Sequence, residues 1–177
     1  MSYITTYTGR HFDPILPDIT LIDIEDIAHA LSLTCRGNGH VKTFFSVAQH
    51  CINCALEAIE REYSPKVILA CLLHDASEAY MSDVPSPFKQ YLLDYQNMED
   101  HLLEMIYTKF LGEPLTEDEK KLVKDIDKDM LYYDLKELLN HQSGNAPHIL
   151  IELNYQFVPF EQIEQEYLKL FYMIERR

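Results

Sequence analysis

Residues 74 and 75 are a histidine followed by an aspartate, and they close a run in which Val67 to Leu73 are all apolar. A histidine and a carboxylate carried into an apolar interior are costly to bury unless something neutralises them. Imidazole and carboxylate are both natural ligands of a divalent cation, so metal binding is the first chemistry to weigh. Taken alone, the pair is as well served by solvent beyond the core or by a backbone carbonyl. His50 shifts the balance. It lies three residues after Val47 and four before Cys54, so at helical spacing it shares their face and points inward. A fourth ligand has to come from elsewhere. Asp125, Asp127, Asp129 and Asp134 crowd one later stretch. At about 100° per residue, Val123, Ile126, Met130, Leu131 and Leu138 form an apolar stripe that contains Asp127 and Asp134. Asp125 and Asp129 fall on the opposite face, where solvent suffices. An aspartate inside an apolar stripe needs a cation or a strong donor. Helical phase therefore leaves Asp127 and Asp134 both open, the latter as a supporting residue or a partner of a basic group.

Three more residues can act on a substrate beside such a site. Glu78 follows His74 by four positions and Asp75 by three, so a continued helix would put all three on one face. A carboxylate there can orient or deprotonate a water activated by the cation; a surface glutamate fits the spacing equally well. Lys89 follows a proline-containing segment, and Arg36 precedes Gly37-Asn38-Gly39. Both carry the charge to hold phosphate oxygens, though most basic residues serve only the surface.

The elements that must position these residues read as helices. Residues 3–12, rich in Tyr, Thr and Ile around Gly9, predict a small β-hairpin. Asp23 caps a helix with Ile24, Ile27, Ala28, Leu31 and Cys35 on its apolar face. Ser46 opens or lies near the start of a second helix, with Val47, Cys51, Cys54, Ala55 and Ala58 on one side. Ser64-Pro65 is an N-cap and first-turn pair. The helix it starts is apolar all round and belongs in the centre of the core. Residues 82–88, with Pro85 and Pro87, predict a loop. Tyr95, Met98, Leu102, Leu103, Ile106 and Phe110 mark the next helix, and Thr116 with Glu119 makes a capping box for a helix running toward Asn140. Residues 141–148 predict a loop, 149–158 reads equally as strand or helix, and a last helix starts near Pro159 and buries Ile163, Tyr167, Leu170, Phe171 and Ile174. The expected fold class is all-α, a helical bundle with a small N-terminal β-hairpin, in a single domain over residues 1–177.

Composition narrows the function classes. At 177 residues the chain can bury a core without disulfides. Its 47% hydrophobic and 25% charged residues place it among ordinary globular proteins. Cys51 and Cys54 form a C-x-x-C, but no second pair completes a zinc site; the expectation is that the cysteines fill core space in a reducing compartment. A formal charge of -14 repels a nucleic-acid backbone, so no polymeric nucleic acid is expected as partner. A small phosphorylated substrate remains compatible, because a cation and a few basic residues reverse the local field. No apolar run is long enough to span a bilayer, and the first residues lack the basic and apolar regions of a signal peptide, so a cytoplasmic protein with no membrane partner is expected.

The order His50 … His74-Asp75 … Asp127 resembles the H…HD…D pattern of the HD-domain phosphohydrolase superfamily. The segments Ser46–His50 and His74-Asp-Ala-Ser-Glu-Ala-Tyr-Met-Ser-Asp83-Val-Pro-Ser-Pro-Phe-Lys89 are more specific. They resemble bacterial HD-type 5′-deoxynucleotidases and phage HD-type dATP triphosphohydrolases, over roughly residues 25–140. Lys121 to Asp127 is similar to the region that bears the last ligand in those families, which favours Asp127 over Asp134. The resemblance implies an HD-domain helical bundle around one divalent metal ion, zinc, cobalt or manganese ahead of magnesium. It implies His50, His74, Asp75 and Asp127 as ligands and a metal-bound water attacking the α-phosphorus. It implies Glu78 and Asp83 as catalytic acids, and Arg36 and Lys89 as phosphate-binding residues. The expected substrate is a free 2′-deoxynucleotide, mono- or triphosphate, and the expected assembly is a homo-oligomer, dimer or hexamer. The alternatives are a cyclic or signalling-nucleotide phosphodiesterase and a non-catalytic metal- or nucleotide-binding module.

Overall fold

The computed structural model describes residues 3–142 and 144–176. Ile4–Thr5 (β1) and His11–Phe12 (β2) pair antiparallel, Ile4 opposite Phe12. Phe12 is fully buried and its ring stacks on Tyr80, which ties this hairpin to the helices. The helices are α1 (Ile24–Leu33), α2 (Val47–Glu60), α3 (Pro65–Leu73), α4 (Glu78–Met81), α5 (Ser86–Lys89), α6 (Leu93–Leu111), α7 (Glu117–Leu139) and α8 (Phe160–Glu175). The fold is all-α with a minor hairpin. No helix of the described residues is long and apolar enough to cross a membrane.

The start signals in the sequence act as expected. Asp23 caps α1 through the Glu25 amide, and Ser46 and Thr116 form capping boxes with Gln49 and Glu119. Ser64 accepts from the Val67 amide, with Pro65 at the first helical position of α3. Every residue of α3 from Val67 to Leu73 is buried, and α2, α6, α7 and α8 pack around it. The end of α3 has no glycine or proline to stop it. Two of its last carbonyls are taken by side chains, the Tyr167 hydroxyl donating to Leu72 O at 2.8 Å and His74 Nδ1 lying 2.8 Å from Cys71 O, and Leu73 O accepts from the Ala76 amide. Orphan carbonyls at a helix end need such partners, and here the partners bring the chain to a stop where the chemistry begins.

Four expectations are revised. Residues 86–89 within and after the predicted proline loop form the short helix α5, which Pro87 permits because it stands in the first turn. Cys35 lies beyond the end of α1, in a single bridge to Ser46. Residues 149–158 are neither strand nor helix, because the Glu57 side chain takes the backbone amides at their start. Asp129 is not merely solvated: Arg61 Nη2 donates to it at 2.8 Å. Residues 141, 142 and 144–148 carry no regular element, as predicted; Ser143 lies outside the described residues.

Candidate metal centre

Three elements meet at the end of α3. The core helix α2 supplies His50, which is completely buried; the turn after α3 supplies His74 and Asp75; α7 supplies Asp127 and, two turns on, Asp134. His50 Nε2 lies 3.0 Å from Asp127 Oδ1, His74 Nε2 3.6 Å from the same oxygen, and His74 Nε2 3.4 Å from Asp75 Oδ2. The structure therefore brings His50, His74, Asp75 and Asp127 together. A cation about 2.0–2.2 Å from two donors separates them by about 2.8–3.6 Å, from a right-angle to a tetrahedral arrangement. All three distances fall in that range.

The imidazoles are also turned correctly for a cation. A backbone carbonyl only accepts, so His74 Nδ1 carries the proton it gives to Cys71 O. That leaves Nε2 as the nitrogen facing the two carboxylates, and Nε2 is buried with no hydrogen-bond partner among the described residues. His50 is set in the same sense: Nδ1 donates to Asp134 Oδ2 at 2.7 Å and Nε2 faces Asp127. A carboxylate behind a histidine, fixing its tautomer, is the usual support of a metal-ligating imidazole. Electrostatics agree. Burial opposes the charged form of both histidines, and the Arg36 charge opposes that of His50, yet Cys54, Asp134 and Asp127 around His50 and Asp75, Cys51 and Asp127 around His74 push both well above the usual range. Burial would raise Asp127, but hydrogen bonds and charge from His50 and His74 hold it well below the carboxylate range. Without a metal, protons do the neutralising.

Asp134 is occupied elsewhere. Besides His50 it accepts from Tyr155 at 3.0 Å and lies 3.3 Å from Arg36 Nη2, so both oxygens are engaged behind the imidazole. It is the supporting residue and the partner of a basic group at once, and Asp127 keeps the oxygen that faces the histidines. Arg36 bridges Asp134 and, at 3.5 Å, Asp75. It reaches them because Gly37, Asn38 and Gly39 all have positive φ and reverse the chain at once, and the Lys42 amide is bonded to Leu138 O at the end of α7. Burial disfavours the Arg36 charge, and Asp134, Asp75 and Asp127 more than restore it.

Glu78 does not sit on a continued helix, since α3 ends at Leu73, but the turn after it still buries Glu78 near Asp75. Its Oε2 has no partner among the described residues. Burial, then the charges of Asp75 and Asp83, push its carboxyl up to about 9. Asp83 is half-buried and raised by burial and Asp75 against the pull of Arg36. Ser82, just before it, holds a φ of 79°, an uncommon region for a residue with a side chain. The Tyr95 hydroxyl, 2.6 Å from Ser82 O, anchors that turn. Lys89 pairs with Glu99 at 2.8 Å and lines the cavity that opens beside His74, Asp75 and Asp127. The cavity measures about 660 Å³, within the size of small-molecule sites. Leu103, Tyr107, Leu115 and Val123 form its apolar wall, and Lys120 and Lys124 stand on its α7 side.

Several of these residues escape a reading of the sequence. Lys120 and Lys124 stand seven and three positions before Asp127, the spacing of one helix face, which is the signal that could have found them. Tyr107 and Tyr155 carry none. Cys51, Cys54 and Cys71 do lie in the core, while Cys35 is only half-buried, and two of the core cysteines also reach the histidines: His50, Cys54 and His74 form a candidate metal-binding cluster, and Cys51 groups with His74 and Asp75, each with ligand atoms within 4.8 Å of one another.

No protein-family model matches the chain. The chain is 41% identical over 112 residues to the uncharacterized protein YfdR of Escherichia coli, a match covering 62% of this chain and 59% of that protein. It is 33% identical over 110 residues to an uncharacterized protein of Rhodobacter capsulatus, covering 58% of this chain and 55% of the relative. The matched region thus spans rather more than half, and less than two thirds, of the length of these relatives.

Proposed function

We propose that this chain is a metal-dependent phosphohydrolase acting on free 2′-deoxynucleotides and cutting at the phosphorus nearest the sugar. One observation carries the metal part: His74 Nε2 is buried and unpartnered among the described residues, and it faces Asp75 and Asp127. The likeness of the His74–Lys89 run to HD-type deoxynucleotide hydrolases supports the substrate. His50, His74, Asp75 and Asp127 would hold the ion, which when bound supplies Lewis-acid activation of a water and of a phosphoryl oxygen.

The remaining steps belong to the protein. Arg36, held at Asp75 and Asp134, presents a fixed positive charge to a phosphate beside Asp75. Lys89 adds a second charge by releasing or sharing Glu99. Glu78 is kept protonated near neutral pH by its burial and its acidic neighbours, so it can donate a proton to the leaving oxygen. Asp83, whose charge acts on Glu78, is the acid that would relay that proton. The cavity provides room beyond the scissile phosphate, with Lys124 and Lys120 placed at successive turns from Asp127. A triphosphate tail lying there would meet both lysines; a monophosphate would meet neither.

The test is phosphate release from a panel of deoxynucleoside mono- and triphosphates, with ribonucleotides as controls, in the presence of Mn²⁺, Co²⁺ or Zn²⁺. Metal-dependent cleavage of a deoxynucleotide is expected. If no nucleotide is cleaved with any of the three metals, a metal- or nucleotide-binding module replaces the enzyme reading.

A further inference from the structure

The inner side of the candidate centre holds a sulfur that the nitrogen and oxygen ligands do not account for. Cys54 follows His50 by one helical turn, is buried, and places Sγ 3.5 Å from His50 Nε2. Its sulfur, one nitrogen of His50 and one nitrogen of His74 all lie within 4.8 Å of one another. His74 Nε2 is the buried, unpartnered atom of the site among the described residues. We propose that Cys54 is itself a ligand, so that the centre binds its cation through a thiolate as well as through imidazole and carboxylate.

The distances favour this over a cysteine that merely fills the core. Bonds of about 2.05 Å to nitrogen and about 2.3 Å to sulfur give an N···S edge of about 3.1 Å at a right angle and about 3.6 Å in a tetrahedron. The observed edge lies within that interval. In the metal-free protein His50 is protonated and Nε2–H donates to Asp127. A cation entering the site would displace that proton and the proton of the Cys54 thiol, both released to the medium. The N–H and S–H bonds break, and the freed nitrogen and sulfur lone pairs would form the new bonds to the ion. No electron transfer is involved. A space-filling role would need only an apolar side chain of similar size, and would not require the sulfur to stand at the nitrogen that faces Asp127. The consequence is selectivity: a thiolate favours zinc, cobalt or cadmium over manganese and magnesium, which prefer oxygen.

This inference rests on the metal part of the proposed function and not on the substrate, and its test does not read activity. The 177-residue chain loaded with one equivalent of Co²⁺ is expected to show a sulfur-to-cobalt charge-transfer band in the near ultraviolet. The band is expected to vanish in Cys54→Ser and Cys54→Ala and to persist in Cys51→Ser and Cys71→Ser. Cd²⁺ affinity should fall about tenfold or more in the Cys54 variants, with Mn²⁺ affinity nearly unchanged. X-ray absorption of the zinc-loaded wild-type chain needs no variant and should give a sulfur scatterer at about 2.3 Å. Stoichiometric cobalt without the band, zinc with only light-atom neighbours, or a band that depends on Cys51 instead would each overturn the proposal. So would a wild-type chain that binds none of these metals, which would also remove the centre. Failure to cleave any nucleotide, with the band present, would sink the enzyme reading alone.

Discussion

His50 is a ring held from both ends: Asp134 takes the proton of Nδ1, and Nε2 is left for whatever sits beside Asp127. The two aspartates of α7 therefore act on opposite nitrogens and should respond differently to substitution. Asp127→Ala is expected to abolish stoichiometric metal binding, measured by inductively coupled plasma analysis of the purified protein. Asp134→Asn should keep the ligands and weaken metal affinity by about 10–100-fold; full occupancy in Asp127→Ala would move the ligand role to Asp134. Glu78 gives a prediction in pH. Its folded carboxyl is raised to about 9 from an ordinary 4.5. Below 4.5 both folded and unfolded chains hold the proton and there is no penalty. Between 4.5 and about 9 the unfolded chain releases it first, so the penalty on folding grows as pH rises. Glu78→Gln removes that penalty. Its melting temperature should gain on the wild type as the pH is raised from 4.5 toward 9, and equal shifts at both ends would refute the assignment.

One turn beyond Cys54 on α2, Glu57 is completely buried and organises a loop. It accepts from the backbone amides of Leu150 at 2.9 Å and Ile151 at 3.1 Å, and from Arg61 Nε at 2.8 Å. Arg61 in turn reaches Asp129 on α7. This is why residues 149–158 adopt no strand despite their alternating apolar pattern: a carboxylate takes the amides that a sheet would need. The same loop delivers Tyr155 to Asp134 and so to His50. Removing one side of a buried charged network leaves the rest unpaired and costs about 3–5 kcal/mol. Glu57→Ala should thus lower the denaturation midpoint by an amount of that order and weaken metal binding without touching the site; chemical denaturation with metal titration reads both. On the other wall of the cavity, Lys124→Ala and Lys120→Ala should raise KM for a deoxynucleoside triphosphate several-fold more than for a monophosphate. Equal effects on the two substrates would show that the α7 face does not meet the tail.

At the scale of the whole molecule, the centre is where α2, α3 and α7 are pinned together. A cation bound only by the folded chain stabilises it by mass action, about 2.7 kcal/mol at a hundredfold excess over Kd. For a chain of this size that is about 5–10 °C in Tm. Chelation should lower the calorimetric Tm by that amount and Zn²⁺ or Co²⁺ should restore it; a Tm indifferent to metal would argue against a centre shared by three helices. The charge of -14 belongs to this scale too. It leaves a small phosphorylated ligand dependent on the local group Arg36, Lys89, Lys120 and Lys124, in a field that otherwise repels it.

Helix starts, the central place of α3 and the inward phase of His50, Asp127 and Asp134 are all local properties: capping side chains, apolar runs and 3.6-residue periodicity write them directly into the sequence. The pairing of His74 with Asp75 is equally legible, because adjacency in the chain is enough. Tertiary structure decided the rest. Which aspartate faces Nε2 and which faces Nδ1 depends on where α7 crosses α2, and no periodicity distinguishes two residues on the same stripe. Cys54 reads as core until the fold sets His74 beside it. The long-range partners of Glu57 lie more than ninety residues away, at Leu150 and Ile151, so the shape of that loop is fixed by a contact that only folding creates. The candidate metal site announced by His74-Asp75 was therefore visible as a set of residue types, while the roles proposed within it come from packing, since a ring nitrogen has a direction only after its ring has neighbours.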